Sequence, residues 1–117
     1  MITFGEARAL AEEHLDARAR SWTDEEVVIN DAQTVTRPAC WIFFYNTRIY
    51  LETRADTHAL AGNSPIVVNA KDGKVWRTIS AFPWQEQIEE FERTGIEPAL
   101  SPYARKRFTE QEPTDGG

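Results

Sequence analysis

Apolar residues recur at helical spacing near the start of the chain. Phe4, Ala7, Ala11 and Leu15 form one stripe, with Leu10 and His14 beside it and Glu12, Glu13 and Asp16 turned away. That period predicts an amphipathic helix. Thr3 followed by Glu6 has capping-box spacing, in which each side chain satisfies an orphan backbone N–H of the other residue, so the helix should run from Thr3 to Arg18. Between Asp24 and Arg37 the pattern turns β-branched, with Val27, Val28, Ile29, Thr34, Val35 and Thr36 suited to strands. Asn30-Asp31 marks a bend within it, and Pro38 ends it because proline cannot donate to a ladder.

The most apolar stretch follows, Cys40-Trp41-Ile42-Phe43-Phe44-Tyr45. Both alternating sets are apolar, as in a central strand covered on two sides, or one covered on one side and used for binding on the other. Strand character is expected to resume at Ile49-Tyr50-Leu51 after a bend at Asn46-Thr47-Arg48. Gly62-Asn63-Ser64-Pro65 reads as a loop. Beyond it, Ile66–Ala70 and Lys74–Ile79 flank Asp72-Gly73, a hairpin signal because both central residues of a type I′ turn need positive φ. A two-residue loop would set Ala70 against Val75 and Val68 against Arg77, and would place Trp76 beside Asn69 on the face away from Val75 and Ile79. Pro83 suits the first turn of a second helix, with Trp84, Ile88 and Phe91 as its stripe and Gly95 as its left-handed terminator.

The order of elements predicts an α+β domain: an N-terminal helix, an antiparallel sheet of four to five strands, and a C-terminal helix packed on one sheet face. Consecutive strands with helices at the ends place the helices on one face, which leaves the other to be explained. The domain is expected over residues 1–95, with 96–117 a loosely attached tail in which Leu100, Tyr103 and Phe108 could dock.

Size and composition narrow the functional classes. A chain of 117 residues is one domain in length, and burying roughly 65% of its extended surface supports a core without staples. A single cysteine, Cys40, forbids an intramolecular disulfide, and no apolar run approaches a membrane span. These features, with a first segment unlike a signal peptide, point to the cytoplasm. The net charge is −6, all of it before residue 101. An acidic body repels phosphate backbones and favours basic partners, so nucleic acid is not expected as a partner despite Arg105-Lys106-Arg107 in the tail.

The sequence carries few chemical motifs. His14, His58 and Cys40 lie far apart in sequence without metal-ligand spacing, and Cys40 sits in the most apolar strand, where a small inert hydrophobe is the better reading. No nucleophile elbow or phosphate loop is present, so neither a cofactor nor catalysis is expected. Paired carboxylates stay open, although those on the second helix look like a solvated face, with Glu89 and Arg93 in favourable i,i+4 order. Aromatics in excess of any pocket chemistry, grouped with charge, suit a protein interface. Trp76, Glu86, Glu89 and Glu90 are the candidate partner-binding residues, Trp76 because the register sends it to the uncovered face.

These segments resemble the YrhB-like, or immunity protein 35, family. The resemblance lies in Ile2-Thr3-Phe4-Gly5-Glu6-Ala7, in Trp41-Ile42-Phe43-Phe44-Tyr45-Asn46 followed by Tyr50-Leu51-Glu52, in Leu60–Val68, in Asp72-Gly73-Lys74-Val75 and in Pro83-Trp84. Within it, Trp41, Phe43, Tyr45, Asn46, Tyr50, Gly62, Asn63, Pro65 and Gly73 are motif residues of mainly structural kind. The resemblance implies a small bacterial α+β protein that binds and neutralises a cognate toxin of a polymorphic or contact-dependent system, with one branch linked to chaperone-like behaviour. It transfers no catalytic residue. An acidic inhibitor suits a basic toxin such as a nuclease. The alternative is a chaperone-like protein binding unfolded chains through an apolar sheet face or edge. Self-association through a sheet edge stays open.

Overall fold

The computed structural model describes residues 1–60 and 64–98. Gly62, Asn63 and the tail with its aromatic and basic residues lie outside the described residues. Helix α1 spans Phe4–Arg18 and begins as its sequence requires: Thr3 Oγ1 accepts from the Glu6 N–H at 3.2 Å, and Glu6 Oε1 accepts from the Thr3 N–H at 2.9 Å. Its buried stripe is Ala7, Ala11 and Leu15.

Strand β1 (Val27–Ile29) and strand β2 (Val35–Thr36) are separated by a short 3-10 turn at Asp31–Gln33, so the expected single strand is bent in two. Residues 40–47 form one nearly continuous extended ribbon, divided at Phe44 into β3 (Cys40–Phe43) and β4 (Tyr45–Thr47). The division changes partners: β3 pairs antiparallel with β2 and with β5 (Ile66–Asn69), whereas β4 pairs with β1. At the junction the Phe44 carbonyl accepts from the Asn30 N–H at 2.8 Å. The result is a four-stranded sheet, ordered β2-β3-β5-β6 with β6 at Val75–Arg77, and a two-stranded sheet β1-β4.

Two local expectations are corrected by the structure. Ile49-Tyr50-Leu51 is not a strand but lies in helix α2 (Arg48–Thr53), because Thr47 Oγ1 caps it by accepting from the Tyr50 N–H at 3.1 Å, and Arg54, at φ 59°, closes it. A three-residue apolar run has no period of its own, so the cap decides. The hairpin loop is four residues long, with Asn69 and Gly73 bonded across it, and the register is two positions away from a two-residue turn: Ile66 opposes Arg77, Val67 opposes Trp76 and Val68 opposes Val75. Gly73 keeps its left-handed φ of 75°, and a Cβ there would sit 3.2 Å from Leu10 Cδ1. A slip of two residues preserves facing, so Trp76 remains on the side away from Val75.

That side is not open. Helix α3 (Trp84–Thr94), entered at Pro83 and ended by Gly95 at φ 75°, packs Ile88 and Phe91 onto Cys40, Ile42, Val67 and Trp76. Helix α1 packs the opposite side, against Phe43, Ile66 and Val68, and extends over Val27, Ile29 and Tyr45 of the smaller sheet. The two alternating sets of the apolar ribbon are therefore both core, one under each helix. The C-terminal helix takes one face as expected; the N-terminal helix takes the other instead of joining it.

Candidate functional site

The sequence-derived candidates do not form one site. Trp76 is 4% exposed; its ring meets Phe91 at 5.4 Å between centroids, and its indole N–H donates to Asn69 Oδ1 at 2.8 Å. The expectation that it faces a partner is overturned, because the face to which the register sends it is the one α3 covers. Glu86 and Glu89 lie exposed on α3. Glu90 is half-buried and receives both contacts from Arg93 at 2.6 Å, so the i,i+3 pair forms in place of the Glu89–Arg93 pair.

The motif residues hold the frame. Phe43 and Pro65 are buried, and half-buried Trp41 meets the Phe4 ring edge-on at 6.2 Å. Asn46 Oδ1 accepts from the backbone N–H groups of Thr47 at 2.9 Å and Leu60 at 2.7 Å, which ties the segment after α2 back to β4. Thr47 adds to this tie by donating its hydroxyl to the His58 carbonyl at 2.7 Å. Tyr50 lies under the Arg54 guanidinium at 5.5 Å.

The clamped segment forms one wall of a cleft of about 490 Å³, lined by Trp22, Thr23, Glu25, Tyr45, Thr47, residues 57–60 and Arg77. The cleft opens along the seam where the two sheets part. Arg77 is its centre. The guanidinium lies 4.7 Å from the Trp22 ring and 6.0 Å from the Tyr45 ring, and those two rings stack at 5.7 Å. Its Nη2 donates to the Tyr45 hydroxyl at 2.9 Å and its Nε to the Ser64 carbonyl at 3.5 Å, while the Tyr45 hydroxyl donates to that same carbonyl at 2.6 Å. Burial raises the Tyr45 phenol pKa, and Arg77 partly opposes the rise. Across the cleft, His58 Nδ1 contacts Glu25 Oε1. His14, outside the lining but within reach of the Arg77 charge, has its Nε2 buried without a partner among the described residues; burial first, then the charges of Arg18 and Arg77, lower its pKa.

Sequence reading missed this cleft. The available signal was Arg77 itself, a cation two positions from Val75 and thus on the α1 side of its strand, where an unpaired charge is unusual. Trp22 ends one short 3-10 turn (Ala19–Ser21), and Thr57 and His58 lie in another (Asp56–His58); both are too short for a period to mark them. Cys40 is fully buried, and burial pushes its thiol up to about 11, the wrong direction for a nucleophile. No group of three or more His, Cys, Asp or Glu among the described residues is placed to hold a metal ion. No helix among them is long and apolar enough to cross a membrane.

The fold defines a small α+β domain with both faces of its larger sheet covered and a cleft at the seam. A family model described as Immunity protein 35 matches residues 5–91. The chain belongs to the immunity protein 35 family. It is 30% identical over 92 residues to the uncharacterized protein YrhB of Escherichia coli (strain K12), an alignment covering 79% of this chain and 90% of that one. No solved structure matches the chain with comparable significance.

Proposed function

We propose that this chain is a cytoplasmic immunity protein that neutralises a cognate protein toxin by binding it, without turnover. Membership in the immunity protein 35 family carries the reading. The charge of −6 and the outward-facing Glu86 and Glu89 of α3 suit a basic toxin, because complementary fields accelerate encounter and set its orientation. The chaperone-like alternative called for an apolar sheet face or a strand edge, and α1 and α3 cover both faces of the four-stranded sheet. That leaves it only the strand edges.

The test is co-expression of this chain with each toxin candidate encoded beside its gene. Rescue from one toxin and from no unrelated toxin supports the reading. Failure to rescue from any adjacent candidate, combined with suppression of aggregation of several unrelated clients, would replace it with the chaperone-like one.

A further inference from the structure

We propose that the seam cleft is a carboxylate-binding site, with Arg77 as its anchor and Trp22 and Tyr45 as its walls. The inference concerns the chain by itself and does not depend on the toxin reading.

A guanidinium such as that of Arg77 carries five N–H groups. Nε and one Nη2 hydrogen are engaged by Ser64 and Tyr45, and no protein acceptor takes either Nη1 hydrogen among the described residues. The remaining Nη2 hydrogen and a neighbouring Nη1 hydrogen lie side by side at the end of the group, the arrangement that receives the two oxygens of a carboxylate. No carboxylate among the described residues lies within 4.0 Å of Arg77. Glu25, the acid that lines the same cleft, is engaged by His58.

A half-buried cation without a counter-charge is an unfavourable arrangement that a bound anion relieves. The aromatic walls hold the guanidinium plane in place before a ligand arrives, which lowers the ordering cost of binding. The cleft volume of about 490 Å³ admits a carboxylate on a short stem. Such a group could be a free small molecule or an acidic side chain of a protein, and the chemistry at Arg77 is the same for both.

The full chain, labelled with 15N, is titrated with glutarate and separately with the blocked tripeptide acetyl-Ala-Glu-Ala-amide, with sodium chloride at matched ionic strength as the control. The Arg77 Nε–H and Trp22 indole N–H resonances are followed. The expected result is a saturating displacement of both, with a dissociation constant of about 1 mM or tighter for at least one probe. Arg77→Gln and Arg77→Lys should each weaken it at least about tenfold, because lysine keeps the charge and loses the fork. Tighter binding of the peptide assigns the site to protein-borne acids, and equal or tighter binding of glutarate assigns it to small molecules.

A response that rises linearly, that chloride reproduces, that Arg54 over Tyr50 shows equally, or that a further control, acetyl-Ala-Gln-Ala-amide, matches would overturn the proposal. Should either variant fail to fold, the wild-type titration with these controls decides alone.

Discussion

Gln87 offers the sharpest test of how α3 is fixed to the sheet. It is fully buried, on a helix otherwise read as an apolar stripe opposite an acidic face. Its Oε1 accepts from the Ile79 N–H at 2.6 Å, and its Nε2 donates to the carbonyls of Ile79 at 2.9 Å, Phe82 at 3.0 Å and Pro83 at 3.3 Å. One amide thus satisfies the backbone where the chain leaves β6 and enters α3. Replacing it by the similarly sized Met removes the partner of the Ile79 N–H, at about 1–3 kcal/mol, and two short bonds to carbonyls, at about 1 kcal/mol each. A loss of about 3–5 kcal/mol is a large share of the stability of a domain this size, and at roughly 4 °C per kcal/mol it lowers the melting midpoint by about 12–20 °C.

Gln87→Glu separates hydrogen bonding from packing. The shape is unchanged, and one carboxylate oxygen then faces three carbonyls while the other keeps the Ile79 N–H. The buried, unfavourably placed acid holds its proton more tightly folded than unfolded. The folded state therefore binds more protons, and the stability of this variant falls as pH rises above the ordinary glutamate range, by at most about 1.4 kcal/mol per pH unit. Chemical denaturation of wild type, Gln87→Met and Gln87→Glu between pH 4 and pH 8 checks both claims. A Glu variant as stable as wild type at neutral pH, or one whose stability rises with pH relative to wild type, would refute the reasoning.

Four further outcomes are expected. His14 has a depressed folded-state pKa, so its contribution is intact above the ordinary histidine range and is lost as pH falls through and below it; His14→Gln should flatten that part of the stability–pH curve. Trp76→Ala should cost about 3–5 kcal/mol in denaturant melts, since a buried indole is removed from between β6 and Phe91; near-wild-type stability would return Trp76 to the surface. The double change Glu86→Lys with Glu89→Lys should leave the melting midpoint within a few degrees and slow association with a basic toxin, as read by stopped-flow at low salt. Cys40 should resist a thiol reagent at neutral pH in the native protein and react promptly in denaturant, given its buried thiol with a pKa of about 11.

What was legible in the chain followed strong local signals. The Thr3–Glu6 cap, the Ala7-Ala11-Leu15 stripe, the bend at Asn30-Asp31 and the Pro83-to-Gly95 helix rest on a local period or a start or stop residue, and Asp72-Gly73 marked the hairpin though not its loop length or register. The ribbon's two apolar sets were equally plain, and both proved to be core. What the sequence concealed depends on distant pairings. Trp76 looked exposed because its strand neighbours alternate correctly, and only the return of α3 over that face buries it. Ile49-Tyr50-Leu51 looked like a strand because Thr47 acts as a cap only once β4 has placed it. The cleft was hidden for the same reason: Trp22, Tyr45, His58 and Arg77 come from four separate segments, and no spacing in the chain announces their meeting.

The change of partners at Phe44 bears on how the molecule would respond to a guest. Tyr45 and Thr47 belong to one sheet and Arg77 to the other, yet a single ribbon threads both, with one residue as the joint. Anything wedged against Tyr45 and Arg77 would brace that joint from outside, so slowed amide exchange should appear together in Val27–Ile29 and in Val75–Arg77, on opposite flanks. The seam would behave as a hinge pinned by its own visitor, and occupancy would be audible across the whole domain.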